Sequence, residues 1–458
     1  MVDMRKGEID IITLGCSKNL VDAERLMRQL ELAGYRCVHD SSDPKGEIAI
    51  INTCGFIGDA KEESIEVILQ FADRKSRGKL RKLYVMGCLS QRYRDELPAE
   101  IPEVDAWYGK FDYEGIVNEC VNAQFRGRPA GYSLSLKGEE YERKLTTPKH
   151  YAYLKIAEGC NRYCSYCAIP LITGKFTSRK MEDILAEVKW LVSEGVKELN
   201  VIAQDLSSYG LDLYGEHRLA TLIEQMAQVD GVKWIRLHYA YPTDFPYDIL
   251  PVMAKHPNVC KYLDIALQHC SSNVLKKMRR HITRDEQDTL IARIRREVPG
   301  ICIRTTLLVG HPGESEEDFE ELCEWVKQMR FDRLGAFAYS EEEGTFAARH
   351  YEDDIPQEEK DRRVDRLMAI QQDISADVLS SMVGTKQEVV IDREEADYYV
   401  GRTQYDSPEV DCEVLIAKKC DEAMRREAKG ERLDEIKIGE YYTVTIQKTE
   451  DFDLYASL

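Results

Sequence analysis

Three cysteines in one short run, Cys160-Asn161-Arg162-Tyr163-Cys164-Ser165-Tyr166-Cys167, carry the strongest chemical signal in the chain. The C-x3-C-x2-C spacing suits three thiolates on three irons of a cubane 4Fe-4S cluster, and no local fourth cysteine closes the set. One iron then keeps an open coordination position. Such an iron can chelate a small ligand and pass it an electron, whereas a fully ligated ferredoxin cluster only exports electrons. A zinc knuckle or plain buried thiols are the blander alternatives.

A second group depends on where strands end. Cys16, Cys54 and Cys88 each follow a short apolar run, ending at Leu14, Ile51 and Met86, and each has a glycine beside it: Gly15-Cys16, Cys54-Gly55, Gly87-Cys88. If the three runs are strands of one parallel sheet, their turns share an edge and the thiols converge into a second three-thiolate site. Small residues packing under helices is the alternative. The glycines, which let backbone approach a bulky group, favour the cluster. The remaining cysteines, Cys37, Cys120, Cys260, Cys270, Cys302, Cys323, Cys412 and Cys420, show no ligand spacing and read as packing residues.

The elements that must position these sulfurs predict an α/β protein of three domains. Residues 1–140 alternate apolar runs (Ile9 to Leu14, Ile48 to Ile51, Leu83 to Met86) with helical patterns (Leu20 to Leu32, Ala60 to Phe71), the order of a doubly wound parallel sheet. Gln124 to Pro148 reads as a connection. Residues 149–375 repeat the alternation on a longer period, with strands expected at Tyr151 to Ala157, Glu198 to Ala203, Trp234 to Tyr239, Tyr262 to Leu267, Ile301 to Val309 and Leu334 to Tyr339. Six such units imply a partial (β/α) barrel whose working face lies at the carboxyl ends of the strands. The helix Arg363 to Ser380 leads out of it. Residues 382–458 change to short strands, among them Val410 to Ile416, and fit a small antiparallel β-barrel.

Composition narrows the setting. The chain has 458 residues, 63 basic against 82 acidic, for a net charge of -19, and the averaged field repels polyanions. No apolar run approaches the roughly 20 residues that span a bilayer, and the start lacks the apolar core of a signal peptide. A cytoplasmic protein without a membrane partner is expected. In a reducing compartment the 14 cysteines stay thiols, so metal or redox chemistry explains them better than disulfides do.

The cysteine loop resembles that of the radical S-adenosylmethionine enzymes, and its combination with the Cys16, Cys54, Cys88 triplet and a small terminal barrel is similar to the methylthiotransferases. Gly15-Cys16-Ser17-Lys18-Asn19-Leu20-Val21-Asp22, Asn52-Thr53-Cys54-Gly55-Phe56-Ile57, and Ala168-Ile169-Pro170 with Ser178-Arg179 resemble the RimO branch. Thr173 stands where many relatives carry Arg. The resemblance implies a transferase with two 4Fe-4S clusters that uses two S-adenosylmethionine molecules per product. One cluster, on Cys160, Cys164 and Cys167, would cleave the cofactor to a 5′-deoxyadenosyl radical; the other, on Cys16, Cys54 and Cys88, would carry the inserted sulfur. The radical would attack the β-carbon of an aspartate in small-subunit ribosomal protein twelve, free or within the subunit. A donor such as flavodoxin or ferredoxin would supply electrons to a monomeric enzyme. Expected cofactor contacts are Tyr166 near the adenine and Glu158, Gln204, Gln268, Arg304 and Thr306 at strand ends, with Asp205 beside them. Val309 to Glu314 reads as a turn shaped for close approach to the cofactor, in which His311 is structural.

The sister branch, MiaB, modifies tRNA and is the rival reading; an electron carrier is a third. The terminal barrel resembles a TRAM domain, usually a nucleic-acid grip. From Gly384 to Leu458 it has 11 Lys and Arg against 19 Asp and Glu, a net of -8, which disfavours RNA as the direct substrate and attracts a basic protein.

Overall fold

The structure, a computed structural model, describes residues 5–110, 112–124, 141–418, 436–450 and 452–458. Cys420 and residues 125–140 of the expected connection lie outside them. The first domain is a parallel sheet in the order β2-β1-β3-β4-β5, made of β1 (Arg5–Thr13), β2 (Arg36–His39), β3 (Gly46–Thr53), β4 (Lys82–Gly87) and β5 (Ala106–Trp107). β3 is buried along its length, as a central strand covered on both faces must be, and its apolar run allows that. Ile9, Ile11, Ile48 and Ile50 face the helix α1 (Ser17–Leu32) on one side, while Ala49, Ile51, Leu83 and Val85 face α2 (Gly58–Ser76) on the other. The sheet is therefore doubly wound. The edge strands β2 and β5 escaped the sequence reading because they are too short to show a pattern; pairing with β1 and β4 creates them.

Six parallel strands form the central domain in the order β13-β12-β11-β10-β9-β6: β6 (Tyr151–Lys155), β9 (Glu198–Ile202), β10 (Trp234–Ala240), β11 (Val259–Ile265), β12 (Cys302–Val309) and β13 (Arg333–Ala338). A small ribbon of β7 (Ala157–Glu158) and β8 (Thr177–Ser178) brackets the cysteine loop. One face of the large sheet packs under helices in the main apolar core, which includes Leu154, Val201, Leu237, Leu263 and Ile303. The helix expected from Arg363 starts earlier, spanning Gln357–Ser380.

A closed barrel ends the chain, β14 (Lys386–Glu394), β15 (Tyr398–Thr403), β16 (Val414–Ala417), β17 (Tyr441–Glu450) and β18 (Asp453–Ser457). Most of its pairs are antiparallel, but β16 and β18 run parallel. The strand expected from Val410 begins only at Val414, because the preceding residues fold into a turn held by Thr403 Oγ1 donating to Asp406 (2.6 Å) and the Ser407 amide donating to Asp411 (2.9 Å).

Charge pairs dock this barrel near the amino ends of the central strands. Arg402 binds Glu198 (2.8 Å) and Asp392 (2.7 Å), Arg333 binds Asp406 (2.6 Å), and Arg304 binds Asp411 (3.4 Å). Part of the barrel's acidity is thus neutralised inside this interface rather than displayed to a partner. The opposite mouth, at the carboxyl ends, faces the N-terminal domain.

Candidate functional site

The sheet order places the reversal of winding between β1 and β3, where a doubly wound sheet opens a crevice at its carboxyl edge. Cys16 and Cys54 flank that crevice. Cys88 stands one strand further on, as the first residue of a short helix, α3 (Cys88–Arg92), and not in a turn. Asn19 sits among the three: its Nδ2 donates to the carbonyls of Leu14 (2.9 Å) and Thr53 (3.0 Å), and its Oδ1 accepts from the Cys88 thiol (3.6 Å). Gly15 is obligatory here. Its φ is +93°, and a Cβ on it would meet the Cys54 Cβ at 2.8 Å and Sγ at 3.0 Å.

Burial raises the Cys54 thiol and pushes Cys88 up to about 12, with the neighbouring thiols adding to both shifts. Lys110 works the other way on Cys88. Cys54 and Cys88 therefore stay protonated thiols that would release their protons on taking up metal. Among the described residues no three His, Cys, Asp or Glu groups close on a single point as a mononuclear ion requires. A cubane asks for something else, because its three thiolates bind three different irons.

The second cysteine trio lies on the loop between β7 and β8. Cys160 and Cys167 are partly exposed and Cys164 is buried. The loop is tied down by backbone: the Cys160 amide donates to the Gly174 carbonyl (3.3 Å), Ser165 to Met278 (2.9 Å) and Ala347 to Ser165 (2.7 Å). Burial pushes Cys160 up to about 12 and raises Cys167 as well. The Cys164 sulfur is flanked by the Tyr241 hydroxyl (3.5 Å) and by Nη1 of Arg280, which donates to it (3.6 Å). Arg280 lies over the Tyr241 ring (4.1 Å), as does Arg162 (4.3 Å). His311 is fully buried and braces Ser165 through Nε2 to Oγ (3.0 Å), as a structural histidine would.

The two trios share a wall. Cys88 packs directly against Ala168 and Ile172, just beyond Cys167. Glu342, after β13, clamps the domains together: it accepts from Lys61 of α2 (2.9 Å) and Arg92 of α3 (2.6 Å), helices that follow Cys54 and begin at Cys88. Between the domains lies a cavity of about 800 Å³, lined by Phe56, Ile57, Tyr166, Gln268, Thr306 and Tyr339 among others. Three of the expected contacts, Tyr166, Gln268 and Thr306, meet there.

Glu158, Gln204 and Arg304 are placed elsewhere. Glu158 accepts from Lys110 (3.4 Å) and Gln204 (3.4 Å) and pairs with Lys155; burial opposes its ionisation, yet the two lysines hold it at about 2. Arg304 shares a strand with Thr306 but turns to Asp264 (3.6 Å) and Asp411 at the opposite end. Asp205 is committed to Arg162 (2.7 Å). The sequence reading assigned no role to Asn19, Arg280, Tyr241 or Glu342. Asn19, three residues after Cys16 on a helix, was legible by spacing; the other three carry no local signal.

A cysteine loop with this geometry at the mouth of an open six-stranded barrel defines a radical S-adenosylmethionine enzyme, and residues 154–326 match the radical SAM superfamily. Residues 8–109 match the uncharacterized protein family UPF0004 and residues 383–458 the TRAM domain. The ribosomal protein uS12 methylthiotransferase RimO of Phocaeicola vulgatus is 60% identical over 455 residues, covering 99% of this chain and 100% of that one. Its namesake in Bacteroides thetaiotaomicron is 58% identical over 99% of both. The chain belongs to the RimO methylthiotransferase family. Among solved structures, the radical S-adenosylmethionine methyltransferase TsrM of Kitasatospora setae covers 72% of each chain at 14% identity with a TM-score of 0.52, a likeness of fold. No helix of the described residues is long and apolar enough to cross a membrane.

Proposed function

We propose that this chain methylthiolates the β-carbon of an aspartate in ribosomal protein uS12, with a 4Fe-4S cluster on each cysteine trio and S-adenosylmethionine as cofactor. The reading is supported by the packing of Cys88 against Ala168 and Ile172, just beyond Cys167, and by a cavity lined both by Phe56, two residues after Cys54, and by Tyr166, next to Cys167. When bound, the clusters and S-adenosylmethionine supply a one-electron reductant, a carbon radical able to take hydrogen from an unactivated carbon, and the sulfur and methyl to be transferred.

The protein's own groups do the positioning. Cys160, Cys164 and Cys167 would hold one cluster, and Cys16, Cys54 and Cys88 the other. Tyr166, Gln268 and Thr306 line the space where the cofactor's adenosyl part would sit, and Gln268 is fixed there by its backbone bonds to Thr306 (2.9 Å) and Leu308 (2.7 Å). The Glu342 clamp ties the N-terminal domain to the mouth of the barrel. Electrons come from a small carrier of the flavodoxin or ferredoxin class, and the cytoplasm, where ribosomes are assembled, is the place of action.

Arg280 tunes the first cluster through Cys164. A donor to a ligating sulfur stabilises the reduced, more negative state. Arg280→Met should lower the reduction potential by about 60 mV, the one-electron equivalent of a charge-assisted hydrogen bond of about 1.4 kcal/mol. A redox titration followed by electron paramagnetic resonance measures it; an unchanged potential would show that the guanidinium serves packing alone.

Mass spectrometry of uS12 from cells with and without the gene tests the reaction. A gain of about 46 Da on an aspartate, the mass of a methylthio group replacing hydrogen in such radical chemistry, is expected only when the gene is present. A methylthiolated tRNA with unmodified uS12 would overturn the assignment.

A further inference from the structure

Lys18 lies in the first turn of α1, two residues beyond Cys16 and next to Asn19, which is pinned among the three auxiliary thiols. The residue is 9% exposed. Its Nζ sits 3.4 Å from the centroid of the Tyr239 ring, at the end of β10. Among the described residues no oxygen accepts a hydrogen bond from this ammonium and no acid pairs with it.

That arrangement is incomplete. An aromatic face attracts a cation but offers no lone pair to its N–H groups, so an anion that reaches this ammonium adds a charge-assisted hydrogen bond that the ring cannot supply. The first turn of a helix adds the positive end of the α1 dipole, which also calls for negative charge. Two acids of the neighbouring elements are already committed. Asp22, one turn along, is engaged by Lys155, Lys110 (3.8 Å) and the Tyr113 hydroxyl (2.8 Å). Asp264, which faces the Tyr239 amide (3.4 Å), is held by Arg304 (3.6 Å) and His238 (3.9 Å). In and just after β9, the Asn200 Nδ2 and Gln204 Oε1 atoms are buried without partners among the described residues. The Lys18 cation thus stands without an acid in the helix turn that follows Cys16.

We infer that Lys18 is the counter-ion for an incoming carboxylate, and that this carboxylate is the side chain of the substrate aspartate. The inference rests on the function proposed above. The carbon to be modified is bonded to that carboxyl carbon, so an ammonium holding the carboxylate holds the β-carbon beside Cys16. Lys18 is then a substrate-binding residue that selects aspartate over its neutral analogue. The methionyl carboxylate of S-adenosylmethionine is the other source of the same chemistry, and the experiment separates the two.

The test uses full-length, anaerobically reconstituted enzyme with S-adenosylmethionine present and no reductant. Wild type, Lys18→Met, which keeps length and loses charge, and Lys18→Arg, which keeps charge, are titrated with uS12 and with uS12 whose target aspartate is replaced by asparagine. Iron content per chain reports that each variant is folded and loaded. Wild type should prefer the aspartate form by about 10- to 100-fold, the range for hydrogen bonds to a charged group. Lys18→Met should bind both forms equally, at the wild-type level for asparagine, while Lys18→Arg retains most of the preference and affinity for S-adenosylmethionine is the same in all three. Retention of the aspartate preference by Lys18→Met overturns this inference alone, as does a fall in S-adenosylmethionine affinity in its place. A wild-type enzyme that, once reduced, leaves uS12 unmodified overturns the function and the inference together.

Discussion

Alanine at Cys160, Cys164 and Cys167 together ends the reductive cleavage of S-adenosylmethionine, whereas alanine at Cys16, Cys54 and Cys88 leaves cleavage in place and ends sulfur insertion. The two outcomes follow from geometry. The first trio lies on the loop between β7 and β8, with Cys164 flanked by Arg280 and Tyr241. The second lies at the carboxyl edge of a different sheet, around Asn19. Cys88 packs on Ala168 and Ile172, but the first loop's backbone is held by its bonds to Gly174, Met278 and Ala347, so each triple variant should keep the iron of the intact trio, about four atoms per chain. Chromatographic measurement of 5′-deoxyadenosine beside methylthiolated uS12 distinguishes them. Methylthiolated product from the Cys16, Cys54, Cys88 variant would remove the sulfur-carrying role from that site.

Loss of Glu342 produces the second large effect. Its carboxylate is almost wholly buried and receives two cations from the helices that position Cys54 and Cys88. Removing one partner of a buried charge network leaves the others uncompensated, at about 3 to 5 kcal/mol. Lys61 can still reach water, so the lower end applies to Glu342→Ala. The N-terminal domain then sits loosely over the barrel mouth, and misplacement by an ångström of the kind that costs about 100-fold in rate should uncouple the two halves of the reaction. The ratio of 5′-deoxyadenosine to methylthiolated uS12 should rise well above that of the wild type, together with a lower thermal midpoint. An unchanged ratio would mean that the clamp has no part in coupling.

The fold was legible wherever burial imposed a pattern. The runs Ile48 to Ile51 and Leu83 to Met86 could only be central parallel strands, and that single fact brought Cys54 and Cys88 to one edge. Edge strands were not legible, since Arg36–His39 bury little and are defined by their neighbour β1. The Cys160, Cys164, Cys167 loop showed itself by its spacing, whereas Cys16, Cys54 and Cys88 could be grouped only through the strand ends that precede them. The cofactor contacts were read less well. Strand-end position alone cannot tell Thr306, which lines the cavity, from Arg304 on the same strand, which an acid of the terminal barrel draws to the other end. Arg280 and Glu342 reach the site from distant segments, and only the folded chain brings them there. The charge of the terminal barrel needed the same correction, because Asp406 and Asp411 are engaged by Arg333 and Arg304 and do not face solvent.

The central claim is that two separate cysteine trios each hold an iron cubane. Mössbauer spectroscopy of anaerobically reconstituted, full-length protein, with iron and sulfide quantified on the same sample, tests it most directly. The account predicts about eight irons per chain, all in 4Fe-4S clusters, falling to about four in either triple-alanine variant. About four irons in the wild type, or zinc in place of the second cluster, would contradict it.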